Sequence, residues 1–446
     1  MGKYFGTDGV RGVVNDQLSC ELAFRIGQAC GRELGKKIFI GRDSRLSGDM
    51  LLCALSAGAM SQGASIVNGG IIPTPGVAFH TSNGNYDCGI VISASHNAPE
   101  YNGIKIFNSH GDKLSEDVQD KIEAFIDLSD DCVENCESCE VGQMTYLQSA
   151  AQDYIKYCID SLQLPANSKV FTGLKIVVDP GYGAAVNTTP FALRDLGCDV
   201  VVINDLLDGS RINVNCGSTH LDQLRGAVLE NNADIGIAHD GDADRVIFLD
   251  EKGNELDGDY ILALLALDLK SRNSLSGNTV VGTVMCNLGF VKAMQEANIK
   301  LVQTDVGDKY VLQEMRSGGY NLGGEQSGHI VLLDHNTTGD GLMCALHFIA
   351  AWQSLGGMLS EACNVVEKYP QVLINVKVNK KGALASNEVI SAEIEKCINE
   401  LGADGRVLIR ESGTEPLVRV MVEAKTQDLA SKYAQELADV VKANLA

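Results

Sequence analysis

A chain of 446 residues exceeds what one ordinary core serves, so roughly two to four domains are expected. Hydrophobic residues at 45% exclude the disordered class, and a formal net charge of −22 argues against nucleic acid or an anionic membrane as partner, because phosphate binding there depends on clustered Lys and Arg. A phosphorylated substrate would need a local positive cleft working against that field, while 47 glycines supply loops whose backbone can approach a phosphate closely.

In chain order, residues 1–7 lack the apolar run of a secretory signal, and Gly6 stands where a myristoylation signal wants Ser or Thr. Residues 37–41 and 89–93 read as buried strands, with a helix-period stretch at 51–62 between them. The acidic stretch 128–145 has no periodicity and is expected to run between a first and a second domain. It carries Cys132, Cys136 and Cys139, three sulfurs without a nearby His; this is a poor zinc set and reads as a solvated loop with incidental thiols. Cys20, Cys30, Cys53, Cys88, Cys198 and Cys344 lie singly in apolar stretches, as small hydrophobes do, which fits a reducing compartment.

Further on, 174–178, 234–238, 246–249 and 280–285 read as buried strands and 221–230 as a helix, with a turn at 250–254 opening a third domain. The longest apolar run, 261–267, falls far short of the ~18 residues a membrane span needs, so a soluble, cytoplasmic protein is expected. Continuous apolar strands separated by helices predict a largely parallel α/β architecture. After a linker at Tyr369-Pro370 the pattern changes: 371–379 alternates, 386–401 is helical, 406–409 and 418–423 are strands, and a closing helix carries Leu429, Tyr433 and Leu437 on one face. That predicts a small α+β domain with a mainly antiparallel sheet. The expected boundaries are 1–150, 151–252, 253–368 and 369–446. No sequence repeat is visible, although three α/β blocks of similar size leave room for one in structure.

Four loops carry chemistry. The sharpest is Asp240-Gly241-Asp242-Ala243-Asp244-Arg245. Three carboxylates at alternate positions can converge on one hard cation, and Mg²⁺ favours a few carboxylates plus a phosphate oxygen. An EF-hand is excluded because its sixth position, which needs Gly, holds Arg245, and because strands flank the loop. Burying three carboxylates between core strands without a cation would cost several kcal/mol. The second loop, Ser93-Ala94-Ser95-His96-Asn97, continues to Asn102-Gly103-Ile104-Lys105 and follows a strand's C-terminal end, where α/β proteins place their sites. Ser93 and Ser95 are both candidates on chemistry alone, and an ordinary hydroxyl-capped turn has the same look. No G-x-S-x-G elbow is present, so that type of hydrolase is not indicated. In the third, Gly323-Gly324-Glu325-Gln326-Ser327-Gly328-His329, the carboxylate, hydroxyl and imidazole suit sugar hydroxyls. The fourth, Arg410-Glu411-Ser412-Gly413-Thr414-Glu415-Pro416 closed by Arg419, offers backbone N–H groups, hydroxyls and guanidiniums to a phosphate dianion.

These loops, in this order, resemble the α-D-phosphohexomutase superfamily over essentially the whole chain, and residues 5–12, Phe-Gly-Thr-Asp-Gly-Val-Arg-Gly, are similar to its opening motif. The resemblance implies three similar mixed α/β domains and a C-terminal α+β domain around a central cleft. It implies that Ser95, rather than Ser93, is the phosphoserine, that Ser95, Asp240, Asp242 and Asp244 hold Mg²⁺, and that Arg11 reaches into the site. Glu325, Ser327 and His329 would bind the sugar, and Arg410, Ser412, Gly413, Thr414 and Arg419 the distal phosphate. Arg245 and Lys105 would add positive charge, with Lys105 or His329 as the acid/base. Gln326 and the stretch 212–220 look like the branch that interconverts glucosamine 6- and 1-phosphates through a 1,6-bisphosphate, feeding UDP-N-acetylglucosamine and cell-wall synthesis. The alternative is the phosphomannomutase/phosphoglucomutase branch, which typically has Met at that position. A non-catalytic calcium- or sugar-phosphate-binding protein is disfavoured because every loop needed for turnover is present. Two departures from the family pattern stand out: Ala98 precedes Pro99 where Pro usually follows His-Asn directly, and Tyr182 replaces the usual Asn. The sequence leaves the oligomeric state open, a homodimer included.

Overall fold

The computed structural model describes residues 2–445 apart from 7, 130–131, 166–167, 380–381, 385–386 and 412–415. Two compact units emerge: residues 1–284 with 299–364, and residues 285–298 with 365–446. The segment 285–298 lies inside the stretch expected for the third domain, yet it clusters with the C-terminal residues.

The first unit holds three sheets, of six, five and four strands. Each is built on the same four-strand order. In the first, Tyr101–Asn108 lies beside Cys88–Ile92, then Lys37–Arg42, then Ser65–Ile71. In the second the order is Val246–Asp250, Ile235–His239, Lys175–Asp179, Asp199–Val202; in the third it is Ile330–Leu332, Leu322–Gly324, Thr279–Thr283, Lys300–Thr304. The last three strands of each set are parallel and the first returns antiparallel. A structural repeat is therefore present without a sequence repeat. Strands such as Cys88–Ile92 and Ile235–His239 are buried along their whole length, which is why they read as unbroken apolar runs.

The expectation of a largely parallel architecture needs correcting to a mixed one. The strand at 246–250 pairs antiparallel with 235–239, not through a helical crossover, and Cys88–Ile92 is followed by a returning strand in the same way. Only a handful of residues separates the members of each pair, and a parallel crossover needs about a dozen or more. The strand expected at 280–285 ends at Thr283. The turn at 250–254 lies within a hairpin, because Val246–Asp250 pairs with Glu255–Leu256. Within the aperiodic stretch 128–145, Met144–Tyr146 begins a strand on the edge of the first sheet.

Helix Cys20–Glu33 starts at Ser19, whose side chain accepts from Leu22 N, and packs on helix Gly48–Ser61. Glycines make that contact close: a Cβ on Gly27 would stand 2.0 Å from Leu55 O, and one on Gly58 2.0 Å from Phe24 O.

In the second unit, strands Gln371–Lys377, Leu417–Ala424 and Gly405–Glu411 form the expected antiparallel sheet, with helices Glu388–Leu401 and Gln427–Leu445 closing a core that includes Val376, Val420, Ile390 and Leu437. Asn287 caps helix Leu288–Glu296 and ties it to this unit: its Oδ1 accepts from Tyr369 N at 2.9 Å, and its Nδ2 donates to Glu423 at 3.1 Å.

All cysteines are free, though Cys53 is exposed rather than used as a core hydrophobe. No single helix among the described residues is long and apolar enough to cross a membrane.

Candidate active site

The shared topology puts three of the four candidate loops at equivalent places. In each sheet of the first unit the loop joins a buried parallel strand to its antiparallel return: 93–100 in the first, 240–245 in the second, 325–329 in the third. The serine and metal loops, 145 residues apart in sequence, meet directly. Ser95, 1% exposed, donates from Oγ to Asp240 Oδ2 at 2.6 Å. Ser93 instead braces the loop, since its Oγ donates to Asp43 Oδ2 at 2.5 Å and accepts Ser95 N–H at 2.9 Å.

Asp240, Asp242 and Asp244 are all buried, and each offers an oxygen within 4.8 Å of the others. Burial pushes Asp240 well above the usual carboxylate range, and the charges of Asp244 and Asp242 push it further. Asp244 is also raised by burial, but Lys105, His329 and Arg245 outweigh this and hold it well below that range. Asp242 Oδ2 accepts from Thr74 Oγ1 at 2.5 Å and from Lys105 Nζ at 2.8 Å. One oxygen each of Asp242 and Asp244 is buried without a hydrogen-bond partner. Orphaned carboxylate oxygens converging from one loop are the donor set a hard divalent cation takes, so the residues present fit one.

Around this centre runs a closed ring in which carboxylates alternate with Lys and His nitrogens. Lys105 Nζ lies 3.1 Å from both Asp8 Oδ2 and Asp244 Oδ2. Asp244 Oδ1 lies 3.7 Å from His329 Nδ1, and His329 Nε2 lies 3.7 Å from Asp308 Oδ2. Asp308 pairs with Lys113, which returns to Asp8 Oδ1 at 2.5 Å. Burial lowers the affinity of Lys105 for its proton, but Asp242, Asp244 and Asp8 more than restore it, so the amine is held charged. His329 shows the same balance: burial lowers it, Asp244 and Asp308 raise it, and the net shift is upward. Gly339 N–H donates to His329 Nε2 at 3.1 Å, which fixes the ring. His96, beside Ser95, is held neutral: burial, then Arg245 and Arg11, push it down to about 4.

The other expected residues take these places. Arg11 pairs with Asp8 and reaches Ala94 O at 3.4 Å. Arg245 N–H donates to Asp240 Oδ1 at 3.2 Å, while its guanidinium lies 3.9 Å from Asp244. Glu325 Oε1 accepts from Gly307 N at 3.0 Å, Gln326 Nε2 donates to Asp259 Oδ2 at 3.2 Å, and Ser327 is exposed. Val246 N donates to Gly328 O at 3.1 Å, which stitches the sugar loop to the metal hairpin. In the second unit, Arg410 and Arg419 are direct cross-strand partners. Ser412, Gly413 and Thr414 lie outside the described residues.

Both departures from the family pattern are absorbed locally. Tyr182 adopts a left-handed backbone, φ +57°, with the Arg211 guanidinium 4.2 Å from its ring centre. Ala98 offers its carbonyl to Arg45 at 2.5 Å.

Sequence reading missed Asp43, Arg45, Thr74, Lys113 and Asp308. A signal existed for the first three. Asp43 and Arg45 follow strand Lys37–Arg42, and Thr74 follows Ser65–Ile71, at the same C-terminal edge that flagged Ser95.

Comparison with known proteins covers nearly the whole chain. Four family models match: Phosphoglucomutase/phosphomannomutase alpha/beta/alpha domain I over residues 2–131, domain II over 152–253, domain III over 257–369, and the C-terminal domain over 373–440. The chain is 48% identical over 452 residues to a phosphoglucosamine mutase of Thermoanaerobacter sp. (strain X514), and 47% identical over 454 residues to one of Clostridioides difficile (strain 630), with 100% of each chain covered. Among solved structures it resembles a phosphoglucomutase/phosphomannomutase family protein from Burkholderia thailandensis, with a TM-score of 0.80 and 26% identity over 99% of this chain and 97% of that one. The fold is also that of an N-acetylphosphoglucosamine mutase from Aspergillus fumigatus in complex with GlcNAc-6P and magnesium, with a TM-score of 0.68 and 17% identity over 99% and 96% of the two chains.

Proposed function

Because this chain belongs to the phosphoglucosamine mutases, a branch of the phosphohexomutase superfamily, it is an isomerase acting on glucosamine phosphate, and we propose that Ser95 carries the phosphoryl group in transit. The observation that carries this reading is the 2.6 Å contact between Ser95 Oγ and Asp240, a nucleophile from one loop set against a carboxylate trio from another. In the proposed cycle, phosphorylated Ser95 gives its group to the free 1-hydroxyl of glucosamine 6-phosphate. The serine O–P bond breaks as the sugar O–P bond forms, and the product is the 1,6-bisphosphate. After the intermediate turns around, the 6-phosphoryl group returns to Ser95 Oγ and glucosamine 1-phosphate leaves. The bisphosphate also serves as activator.

Asp240, Asp242 and Asp244, with one oxygen of the phosphoserine, would hold Mg²⁺, whose chemistry is to neutralise charge spreading over the equatorial oxygens in transfer. Arg245, Arg11 and Lys105 add fixed positive charge. Between the two acid/base candidates, Lys105 is held protonated by three carboxylates and suits the role of cation. His329 carries an imidazole, the side chain whose ordinary titration range lies nearest neutrality, and suits proton transfer at the sugar oxygen. Glu325 and Ser327 would read the sugar. Arg410 and Arg419, with Ser412, Gly413 and Thr414, would anchor the phosphate that is not reacting; such an anchor recognises a dianion in either orientation of the ring. A cytoplasmic location and a supply of amino-sugar phosphate to cell-wall precursors go with this reading.

The test is Ser95→Ala. We expect it to abolish interconversion of glucosamine phosphates in Mg²⁺ with a trace of bisphosphate while the thermal transition stays in place; unchanged turnover would remove Ser95 from the cycle. Comparing glucosamine, mannose and glucose phosphates in the same assay measures how far the site favours the amino sugar.

A further inference from the structure

Between Ile92 and Tyr101 the chain makes only turns and bends, so no ladder of hydrogen bonds holds the serine loop. Ser95 itself has φ +52°, the left-handed region, which a residue with a Cβ keeps only when its surroundings insist. Those surroundings converge on one side chain. Arg45, fully buried, donates from Nε to Asp43 Oδ2 at 3.0 Å. Its Nη1 donates to the carbonyls of Ala98 at 2.5 Å and Tyr101 at 2.9 Å, and its Nη2 to those of Ser95 at 2.9 Å and Asn97 at 2.7 Å. A guanidinium has five N–H donors in a rigid fork, and these bonds use them all.

The same network ties the other end of the Ser95 peptide. Its N–H donates to Ser93 Oγ, Ser93 donates to Asp43, and Asp43 Oδ1 accepts Arg45 N–H at 2.9 Å. From the metal-loop domain, Asn213 Nδ2 donates to Ser95 O at 2.8 Å and Asn97 O at 3.1 Å.

We infer that Arg45 is the positioning residue of the phosphoryl carrier, a clamp that fixes the Ser95 backbone so that Oγ stands against Asp240; this rests on Ser95 being the carrier. Arg45 touches no reacting atom. Its charge is met by buried Asp43, so its contribution is geometry. It reads backbone carbonyls, and a carbonyl is present whatever the side chain, which is why Ala98 can stand where Pro is usual. Lys keeps the charge but gathers its donors at one point and cannot span four carbonyls and a carboxylate.

The experiment compares full-length Arg45→Lys with the parent protein. It measures steady-state kinetics on glucosamine 6-phosphate, the rate at which glucosamine 1,6-bisphosphate phosphorylates Ser95 (by intact mass and peptide mapping), and thermal unfolding. A misplaced reacting atom costs up to on the order of a hundredfold, so kcat should fall at least about tenfold and KM by less than about twofold. The rate of Ser95 phosphorylation should fall in proportion to kcat. Leu224→Ala, in the core of the second sheet, controls for stability: it should lower the melting temperature while keeping kcat per folded molecule. If Arg45→Lys does not fold, Asn213→Ala, which removes a second tie on the same carbonyl, should show the kcat-specific loss; unchanged kcat there overturns the inference. So does an Arg45→Lys enzyme within twofold of the parent, or one whose losses match Leu224→Ala. A parent protein phosphorylated at another residue overturns the carrier assignment and this inference together. A parent phosphorylated on Ser95 with an indifferent Arg45→Lys overturns the clamp alone.

Discussion

Asp242 sits where burial and charge conflict. Its Oδ2 is shared by Thr74 and Lys105, its Oδ1 is buried without a hydrogen-bond partner, and two more carboxylates stand within 4.8 Å. Removing one negative charge relieves repulsion from Asp240 and Asp244 but also gives up the 2.8 Å ion pair with Lys105, so Asp242→Asn is expected to change the melting temperature of the metal-free protein little. The same change removes a proposed metal ligand, so turnover should fall on the order of a hundredfold or more and any stabilisation by Mg²⁺ should shrink. Melting curves with and without Mg²⁺, beside a coupled assay, check both halves; a variant that simply unfolds would make Asp242 a structural residue. At this scale the sequence was most legible where a whole set of ligands sits in one loop. The strand-end positions of Arg45 and Thr74 were legible, but their partners were not, because those lie far along the chain: Arg45 gathers carbonyls about fifty residues on, and Thr74 meets a carboxylate 168 residues away.

Among the elements, the pair of helices at 20–33 and 48–61 rests on missing side chains. Gly58→Ala adds helix propensity worth about 1 kcal/mol. Its Cβ would stand 2.0 Å from Phe24 O, however, and backbone cannot swing aside. Overpacking of this kind typically costs about 1–3 kcal/mol, so net destabilisation is expected. Gly226, in helix Asp222–Asn231, has nothing within 4 Å of its would-be Cβ. Gly226→Ala should therefore stabilise by up to about 1 kcal/mol. Chemical denaturation of the two variants reads the difference, and a stabilised Gly58→Ala would refute the close helix contact. Strand positions followed from apolar runs, but their direction did not. An unbroken apolar strand reports burial on both faces and is silent about whether its neighbour runs parallel. The returning strand Val246–Asp250 is nearly central, hence as apolar as its neighbours, and so resembled a parallel member of the sheet, whereas Tyr101–Asn108, with Asn102 and Lys105 inside it, read only as the continuation of the serine loop.

For the whole molecule, the division into two units has a thermodynamic consequence. Each unit has its own core, and multi-domain chains depart from two-state unfolding. Calorimetry should resolve more than one transition. Mg²⁺, which we propose binds at 240–244, should raise only that of the first unit. Asn287→Ala removes the cap of helix Leu288–Glu296 together with its bonds to Tyr369 and Glu423, and should lower only the transition of the second unit, by about 2–3 kcal/mol. A single transition that responds equally to both would show that the units unfold as one.

Local chemistry is what this sequence determines by itself: three carboxylates at alternate positions, a serine past a strand end and a small C-terminal domain of alternating strands are all properties of neighbouring residues. Tertiary structure alone decided that three unlike stretches share one strand order, that 285–298 clusters with the C-terminal residues, and that a single arginine gathers the carbonyls of the serine loop. Those features join residues tens to hundreds of positions apart, and at least one partner is often a backbone group that every residue carries, so no side-chain pattern along the chain records them.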